Sequence, residues 1–210
     1  KVDEEVNAVT SPVKEARPTS RDLRSGRVAL HSSKLDALVE HLQKGLGIPS
    51  NKDKKKKTAH GTANHEKAVV FSQWTRMLDL VGYVLKREHI PFVRLDGSMS
   101  QQNRQSTLKR FRSRPDIKVL IMSLKAGSLG LNLTCASFVI MLDPWWNPAV
   151  EKQAINRCHR IGQTKKVEVL RMIVDDTCEE RLLYLQNIKS NLAQSVLTMG
   201  DDGGGDNSDR

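Results

Sequence analysis

Short apolar runs alternate with amphipathic stretches from residue 67 onward, and this alternation limits the possible fold more than any other feature. Each run has the length of a strand, whereas the stretches between the runs carry apolar residues at helical spacing. The predicted strands cover residues 68–71, 92–95, 118–122, 138–142 and 167–173, and the predicted helices cover 74–88, 101–112 and 148–158. Strands that alternate with helices form a mostly parallel sheet joined by right-handed crossovers. The sequence therefore predicts an α/β fold with helices on both faces of the sheet.

The composition is typical of one soluble domain with a polyanionic partner. The 210 residues suffice for a domain of ordinary size with tails, and a hydrophobic content of 38% suffices for a core. Basic residues outnumber acidic ones by 34 to 24, which gives a net charge of +10. No apolar run of spanning length and no signal-peptide pattern occurs, so we expect no membrane partner. Cys135, Cys158 and Cys178 fit neither a disulfide framework nor a zinc site, so we expect no bound metal and a reducing compartment.

The sequence divides into a linker, a domain and a tail. Residues 1–31 mix charges with prolines and are predicted to be a largely irregular linker, and the domain is expected over residues 32–195. Its first helix is expected to be capped by Ser32 or Ser33 and to end at Gly45 and Gly47. Residues 49–67 are a lysine-rich insertion that is predicted to be disordered: a solvated loop, or alternatively a nuclear import signal or a DNA-binding segment. Residues 196–210 are predicted to be a disordered tail.

One segment near the carboxyl end of the domain carries an amide and two guanidinium groups at helical spacing. Gln153, Arg157 and Arg160 occupy positions i, i+4 and i+7, so a continuous helix would present them on one face. Two adjacent guanidinium groups favour a dense anion opposite them, such as a nucleoside triphosphate. A solvated basic helix face is the alternative. The preceding segment favours the anion, because a buried strand leads through a predicted cap at Asn147 and Pro148 into this helix, and ligands of open α/β sheets bind at such edges.

The segment SLKAGSLGLNLTCASFVIMLDPWWNPAVEKQAINRCHRIGQ, residues 123–163, resembles helicase motifs V and VI of the Swi/Snf-type ATPases of helicase superfamily two. The sequence of these motifs is typical of the DNA-repair and RING-containing branch, and the resemblance extends over roughly residues 33 to 191. The resemblance implies the second RecA-like lobe of the motor, a three-layer fold, with a brace helix over residues 176–194. It also implies a nuclear, ATP-dependent double-stranded DNA translocase or chromatin remodeller that acts in DNA repair.

The resemblance assigns the nucleotide-facing residues to motifs V and VI. Arg157 and Arg160 match the family's arginine fingers, which neutralise charge on γ-phosphate oxygens, and Gln153 matches the amide that reaches the nucleotide or the attacking water. Gly130 and Asn132 of motif V are expected to face ATP. The chain contains no Walker loop and no acidic box after a strand, so a first RecA-like lobe, in cis or in trans, is expected to hold ATP and Mg²⁺. We therefore expect the chain alone to be inactive as an ATPase.

The resemblance also places double-stranded DNA against segments that follow the predicted strands. Motif IV contributes Ser72 and Gln73, although Ser72 could instead cap the next helix. The glycine-containing turn contributes Gly97 and Ser98, whose exposed amides suit a phosphate, although Ser98 and Ser100 are equally good helix caps. The other expected DNA contacts lie in motif V and in the Trp-Trp pair: Ser123, Lys125, Ala126, Gly127 and Trp146. Trp145, the first residue of the pair, is expected to be a core anchor.

Three positions depart from the family pattern. Lys125 stands where many members carry Arg, so the charge is kept but the bidentate fork is lost. Ser128 stands where many carry Gly, and Asn156 stands where the family usually has an Asp that pairs with a cation. These departures leave open a catalytically inactive nucleic-acid or chromatin-binding adaptor as an alternative. A strand-separating RNA helicase of the same superfamily is a second alternative. If the chain belongs to a remodeller, its expected targets are nucleosomes or other DNA-bound proteins.

Overall fold

A computed structural model describes residues 2–9, 32–49, 66–127 and 130–199, with residues 2–9, 190 and 192–199 described by their backbone alone. The strands are β1 (Val2–Val9), β2 (Ala68–Ser72), β3 (Phe92–Leu95), β4 (Val119–Ser123), β5 (Phe138–Met141) and β6 (Val167–Val174). The helices are α1 (Ser33–Leu46), α2 (Thr75–Arg87), α3 (Gln101–Ser113), α4 (Leu124–Gly127), α5 (Pro148–Ile155) and α6 (Cys178–Met199). The five predicted strands and the helices between them are all present, with ends shifted by a few residues.

The strands form one sheet in the order β1-β6-β5-β2-β4-β3, and every neighbouring pair is parallel. Strands β2, β4 and β5 are buried along their whole length, as expected for strands covered on both faces. Ser72 lies opposite Ser123 in the register, so the carboxyl ends of β2 and β4 meet at the same edge. This carboxyl edge carries several of the predicted site residues.

Apolar layers on the two faces of the sheet make the fold a three-layer one. Helices α1 and α2 cover one face with side chains that include Leu38, Leu42 and Leu85. Helices α3 and α5 cover the other face, with Phe111 and Ile155 among the buried side chains. Removing a fully buried leucine from such a core costs about 2–5 kcal/mol. The predicted α/β class, with helices on both faces, is therefore confirmed.

The ends of α1 differ from the prediction at one glycine. Gly47 ends the helix in the left-handed conformation with a φ of 59°, as the sequence suggests. Gly45, however, lies inside the helix, because α1 approaches β5 closely there. A Cβ atom on Gly45 would lie 2.8 Å from Cε1 of Phe138. Gly45 therefore permits close packing of α1 on the sheet and does not end the helix.

The flanking segments also differ from their predictions. The predicted linker contains strand β1, which extends the sheet beside β6, and residues 10–31 lie outside the described residues. Most of the predicted lysine-rich insertion lies outside them too, but its last residue, Lys67, is buried. Helix α6 begins at Cys178 and continues to Met199, past the predicted brace and into the predicted tail. Among the described residues, no helix is both long and apolar enough to cross a membrane.

Candidate functional site

A polar cleft of about 460 Å³ opens at the carboxyl ends of β2, β3 and β4. Chain segments that follow these strands line it, which is the usual position for ligands of parallel sheets. Trp74, Asp79 and Arg94 belong to its wall. The structure brings five of the residues predicted to contact DNA into this cleft: Gln73, Gly97, Ser98, Ser123 and Lys125.

The turn after β2 is fixed by a half-buried carboxylate that sequence reasoning missed. Asp143, just beyond β5, accepts hydrogen bonds from the Ser72 hydroxyl and, at 3.1 Å, from the Gln73 amide. Burial raises the pKa of the Asp143 carboxyl, although the hydrogen bond from Ser72 and the charge of Lys34 act in the opposite direction. Ser72 itself is fully buried, so its predicted direct contact with DNA is wrong for the side chain. The sequence signal that could have identified Asp143 is its position directly after a predicted buried strand.

The turn after β3 is held by Asp96. Its carboxylate accepts hydrogen bonds from the amide and the hydroxyl of Ser98, and these bonds, that from the hydroxyl above all, hold the pKa of Asp96 below its usual range. Arg94 donates to Asp96 at 2.9 Å and also pairs with Asp79. Ser100, not Ser98, caps α3, because its hydroxyl accepts from the Asn103 amide at 3.3 Å. Ser98 therefore remains at the wall of the cleft.

Motif V presents one charged side chain to the cleft. The Ser123 hydroxyl accepts a hydrogen bond from the Ala126 amide at 3.3 Å, and both side chains are buried. Lys125, between them, is exposed. Gly127 ends the short helix α4, and Ser128 lies outside the described residues. The side chains of Ser123, at the cleft, and Ala126 are thus almost wholly covered, and their DNA contacts stay predictions. Lys125 is the residue of this segment that can reach a phosphate.

The Trp-Trp pair is divided between core and surface, as the sequence predicts. Trp145 packs against the apolar core, while 51% of Trp146 is exposed. Their ring centroids are 6.0 Å apart and the ring planes are tilted by 51°. Asn147 caps α5 by accepting from the Ala149 amide at 3.0 Å, with Pro148 at the start of the helix. The predicted cap is therefore confirmed.

The helix predicted to carry both arginines ends before either of them. Helix α5 stops at Ile155, and the Arg157 amide donates to the carbonyl of Ala154, only three residues earlier. The Cys158 amide donates to Ile155 in the same way, and this tightening turns the Cys158 side chain into the core. The predicted single helical face for the arginines is therefore wrong. Gln153 and Arg160 are exposed and Arg157 is half-buried.

The turn that carries the arginines is joined to motif V. The Arg157 carbonyl accepts a hydrogen bond from the Leu133 amide at 2.9 Å. Gln163, which sequence reasoning also missed, donates from its side chain to the carbonyls of Ala136 at 3.0 Å and Cys158 at 3.2 Å. Because Ala136 lies just before β5, this turn is near the amino ends of the strands, at the opposite edge from the cleft.

The motif V loop reaches this turn through ordered contacts of its own. Gly130 adopts a φ of +68°, a conformation that favours glycine. Asn132 accepts from the amide and hydroxyl of Thr134 at 3.0 Å and 2.9 Å, and Arg112 donates to the Asn132 carbonyl at 2.6 Å. The predicted nucleotide-facing residues thus lie on two connected segments: Gly130, Asn132, Gln153, Arg157 and Arg160.

Comparison with known proteins assigns this fold to a class. A family model described as the helicase conserved C-terminal domain matches residues 51–162, more than half of the chain. The chain therefore belongs to the helicase conserved C-terminal domain family, in its Swi/Snf-type branch. In a crystal structure of the C-terminal part of the Fun30 ATPase domain, a similar fold covers 75% of this chain and 46% of that one, with a TM-score of 0.65 and 37% identity. The predicted RecA-like lobe is confirmed.

Two similar curated proteins are DNA repair proteins. DNA repair protein RAD5A of Arabidopsis thaliana is 47% identical over 80% of this chain. DNA repair protein rad8 of Schizosaccharomyces pombe is 55% identical over 65% of it. The chain spans only 15% and 12% of the lengths of these two relatives. It therefore corresponds to one part of much longer proteins.

Proposed function

We propose that this chain is the second lobe of a nuclear, ATP-dependent double-stranded DNA translocase or chromatin remodeller that works in DNA repair. The observation that carries this proposal is the separation of two polar surfaces on one lobe. A cleft with Lys125 lies at the carboxyl edge, and the turn with Arg157 and Arg160 lies near the opposite edge. A lobe with this arrangement can hold DNA on one surface while the other meets a nucleotide. The DNA repair relatives support the same conclusion.

On the nucleotide surface, Arg157 and Arg160 act on ATP that a first RecA-like lobe binds. Their guanidinium groups stabilise the charge that develops on the γ-phosphate, and Gln153 reaches the nucleotide or the attacking water. Gly130 and Asn132 complete this surface from motif V. Guanidinium groups suit phosphate oxygens but cannot ligate Mg²⁺, and none of these five residues is a carboxylate, the usual protein ligand of Mg²⁺ at phosphates, so Mg²⁺ belongs to the first lobe. Among the described residues, no cluster of His, Cys, Asp or Glu could hold a metal ion.

On the DNA surface, Lys125 and the amide of Gly97 contact backbone phosphates, and Gln73 lies beside them. Ser98 shapes this surface from the turn after β3, where its amide and hydroxyl donate to Asp96. Ser72, Ser123 and Ala126 support these contacts from below the surface, because they are buried. Trp146 and the backbone of Gly127 extend the contact. Nucleosomes or other DNA-bound proteins are the targets that such movement along DNA would remodel.

Replacing the second arginine tests the proposal. In the two-lobe protein, Arg160→Ala should lower DNA-stimulated ATP turnover by about a thousandfold or more, because the transition-state charge loses its partner. Arg181→Ala removes an exposed arginine from α6 and should leave turnover within about twofold. Steady-state phosphate release at saturating DNA measures both. Full DNA-stimulated turnover in the Arg160→Ala protein would contradict the assignment.

Two other functions remain testable in the same protein. An inactive adaptor is favoured by Asn156, which ends α5 and is exposed, because an amide cannot neutralise a neighbouring cation as the family's Asp would. Such an adaptor would not be labelled by photo-crosslinked ATP, whereas a motor would. An RNA helicase would separate strands, whereas the translocase should respond to duplex DNA without unwinding it.

A further inference from the structure

Two residues of α6 reach the Trp145–Trp146 loop, although this loop follows a strand far away in the sequence. Gln186 donates from its side chain to the Trp145 carbonyl and, at 2.8 Å, to the Glu151 carboxylate. The same Glu151 oxygen accepts the Trp145 amide at 2.6 Å. Both the N–H and the C=O of Trp145 are therefore held by side chains that are 0% and 4% exposed, those of Glu151 and Gln186. The position of the loop is fixed relative to α6 through buried hydrogen bonds.

One turn further along α6, Lys189 lies against the second tryptophan. Its Nζ atom is 4.7 Å from the Trp146 ring centroid and 3.5 Å from the Trp146 carbonyl oxygen. Both side chains are exposed. In the sequence, Lys189 is the only charged residue between Arg181 and Asp201, so no acidic residue of this stretch competes for its charge. An exposed indole beside an exposed ammonium group combines an apolar face with a cation that can donate hydrogen bonds to a phosphate.

We propose that Trp146 and Lys189 form a second contact with duplex DNA, in which the indole lies against a deoxyribose and the ammonium group binds a backbone phosphate, while Gln186 of α6 and Glu151 of α5 position the pair. The inference rests on the proposed DNA-binding function. It adds a residue of α6 to a surface otherwise formed by segments at the ends of the strands. The excess of basic residues over the chain, 34 against 24, favours DNA as the occupant. Tyr184, Leu185 and Ile188 are also exposed on α6, and a protein partner is therefore the competing occupant.

Charge removal at Lys189 tests the contact. Anisotropy of a labelled duplex bound to the full-length protein, measured over a KCl series, gives the affinity and its salt dependence. Lys189→Met should weaken binding about three- to tenfold at 0.1 M salt and reduce the salt slope by about one ion, whereas Lys189→Arg should restore both. Lys44→Met removes an exposed lysine from α1 and should change neither quantity.

The outcomes separate this inference from the proposed function. If Lys125→Met weakens binding and Lys189→Met does not, the second contact is wrong and the proposed function stands. If neither variant changes binding, the DNA surface of the proposed function fails as well. If Lys189→Met lowers ATP turnover measured without DNA and leaves the salt slope unchanged, α6 binds a protein surface, which also overturns the second contact.

The positioning role of Gln186 has its own test. Gln186→Met has a similar volume but cannot donate to the Trp145 carbonyl, so the indole should lose its fixed position. Trp146→Ala should then weaken DNA binding severalfold in the parent protein and less than about twofold in the Gln186→Met background. Equal losses in the two backgrounds would show that Gln186 does not position Trp146. A merely structural role of Gln186 would change the unfolding midpoint without removing the effect of Trp146→Ala.

Discussion

At the scale of single residues, Asp143 links the strand ends beneath the proposed DNA surface. Asp143→Leu should destabilise the chain by about 1–3 kcal/mol, because the buried Ser72 hydroxyl and the Gln73 amide lose their acceptor. Asp143→Asn keeps an acceptor and should cost less. Urea unfolding at neutral pH measures both changes. Equal losses in the two variants would contradict a role based on hydrogen bonding.

The same carboxyl gives a pH dependence with a definite sign. Burial raises the pKa of Asp143 above 3.8, its ordinary value, so the folded state holds this proton more tightly than the unfolded chain does. Its contribution to stability is therefore present at acidic pH and is lost as the pH rises from 3.8 through the raised pKa. The stability of Asp143→Asn relative to the parent chain should accordingly increase from acidic to neutral pH. The opposite trend would mean that the hydrogen bonds and Lys34 outweigh burial.

Lys67 is a buried cation that joins a helix end to a strand start. Its ammonium group donates to the carbonyls of Phe111, Arg114 and Ile117 at 2.5, 2.7 and 2.9 Å. Lys67→Met should destabilise the chain by about 2–4 kcal/mol, because these carbonyls lose a charged donor. The matched variant Lys118→Met removes one hydrogen bond, to Leu46, and should cost about 1 kcal/mol or less. Similar unfolding free energies for the two variants would contradict the three-carbonyl role.

At the scale of secondary-structure elements, the sequence predicted strands better than it predicted where helices end. The apolar runs at 68–71 and 138–142 identify strands, because burial on both faces requires continuous apolar sequence. Helix α5 ends early, where the backbone tightens and Cys158 enters the core, and helical periodicity alone does not encode this packing. The sequence therefore identified Arg157 and Arg160 as candidate residues but did not predict their arrangement in the fold. Gln163 was missed because its role depends on Ala136, which is distant in the sequence.

Gln163 should control the order of the turn that carries the arginines. Gln163→Ala removes the donors to Ala136 and Cys158 and should destabilise the chain by about 1–2 kcal/mol. Amide exchange at Leu133 and Cys158 should accelerate, since their hydrogen bonds lie in the released turn. Gln153→Ala changes an exposed side chain and should stay within about 0.5 kcal/mol. Unchanged exchange at Leu133 would show that the turn is held by other contacts.

At the scale of the whole molecule, the two proposed surfaces lie at opposite ends of the strands. Lys125 follows the carboxyl end of β4, whereas the turn with Arg160 is bonded to Ala136, just before the amino end of β5. Strands of this length separate their two ends by about 13–17 Å. Family resemblance predicted both sets of residues, but only the fold shows which of them are exposed and on which edge they lie.

This separation predicts independent effects of the two cations in the two-lobe protein. Lys125→Ala should raise the DNA concentration for half-maximal stimulation severalfold while turnover at saturating DNA stays within about twofold, because a phosphate contact is lost and the nucleotide surface is intact. Arg160→Ala should lower turnover without changing the DNA concentration dependence. The double variant should show the product of the two effects, since residues this far apart act additively. ATP turnover measured over a DNA titration separates the two parameters, and a strongly non-multiplicative double variant would mean that DNA and ATP share one surface of the lobe.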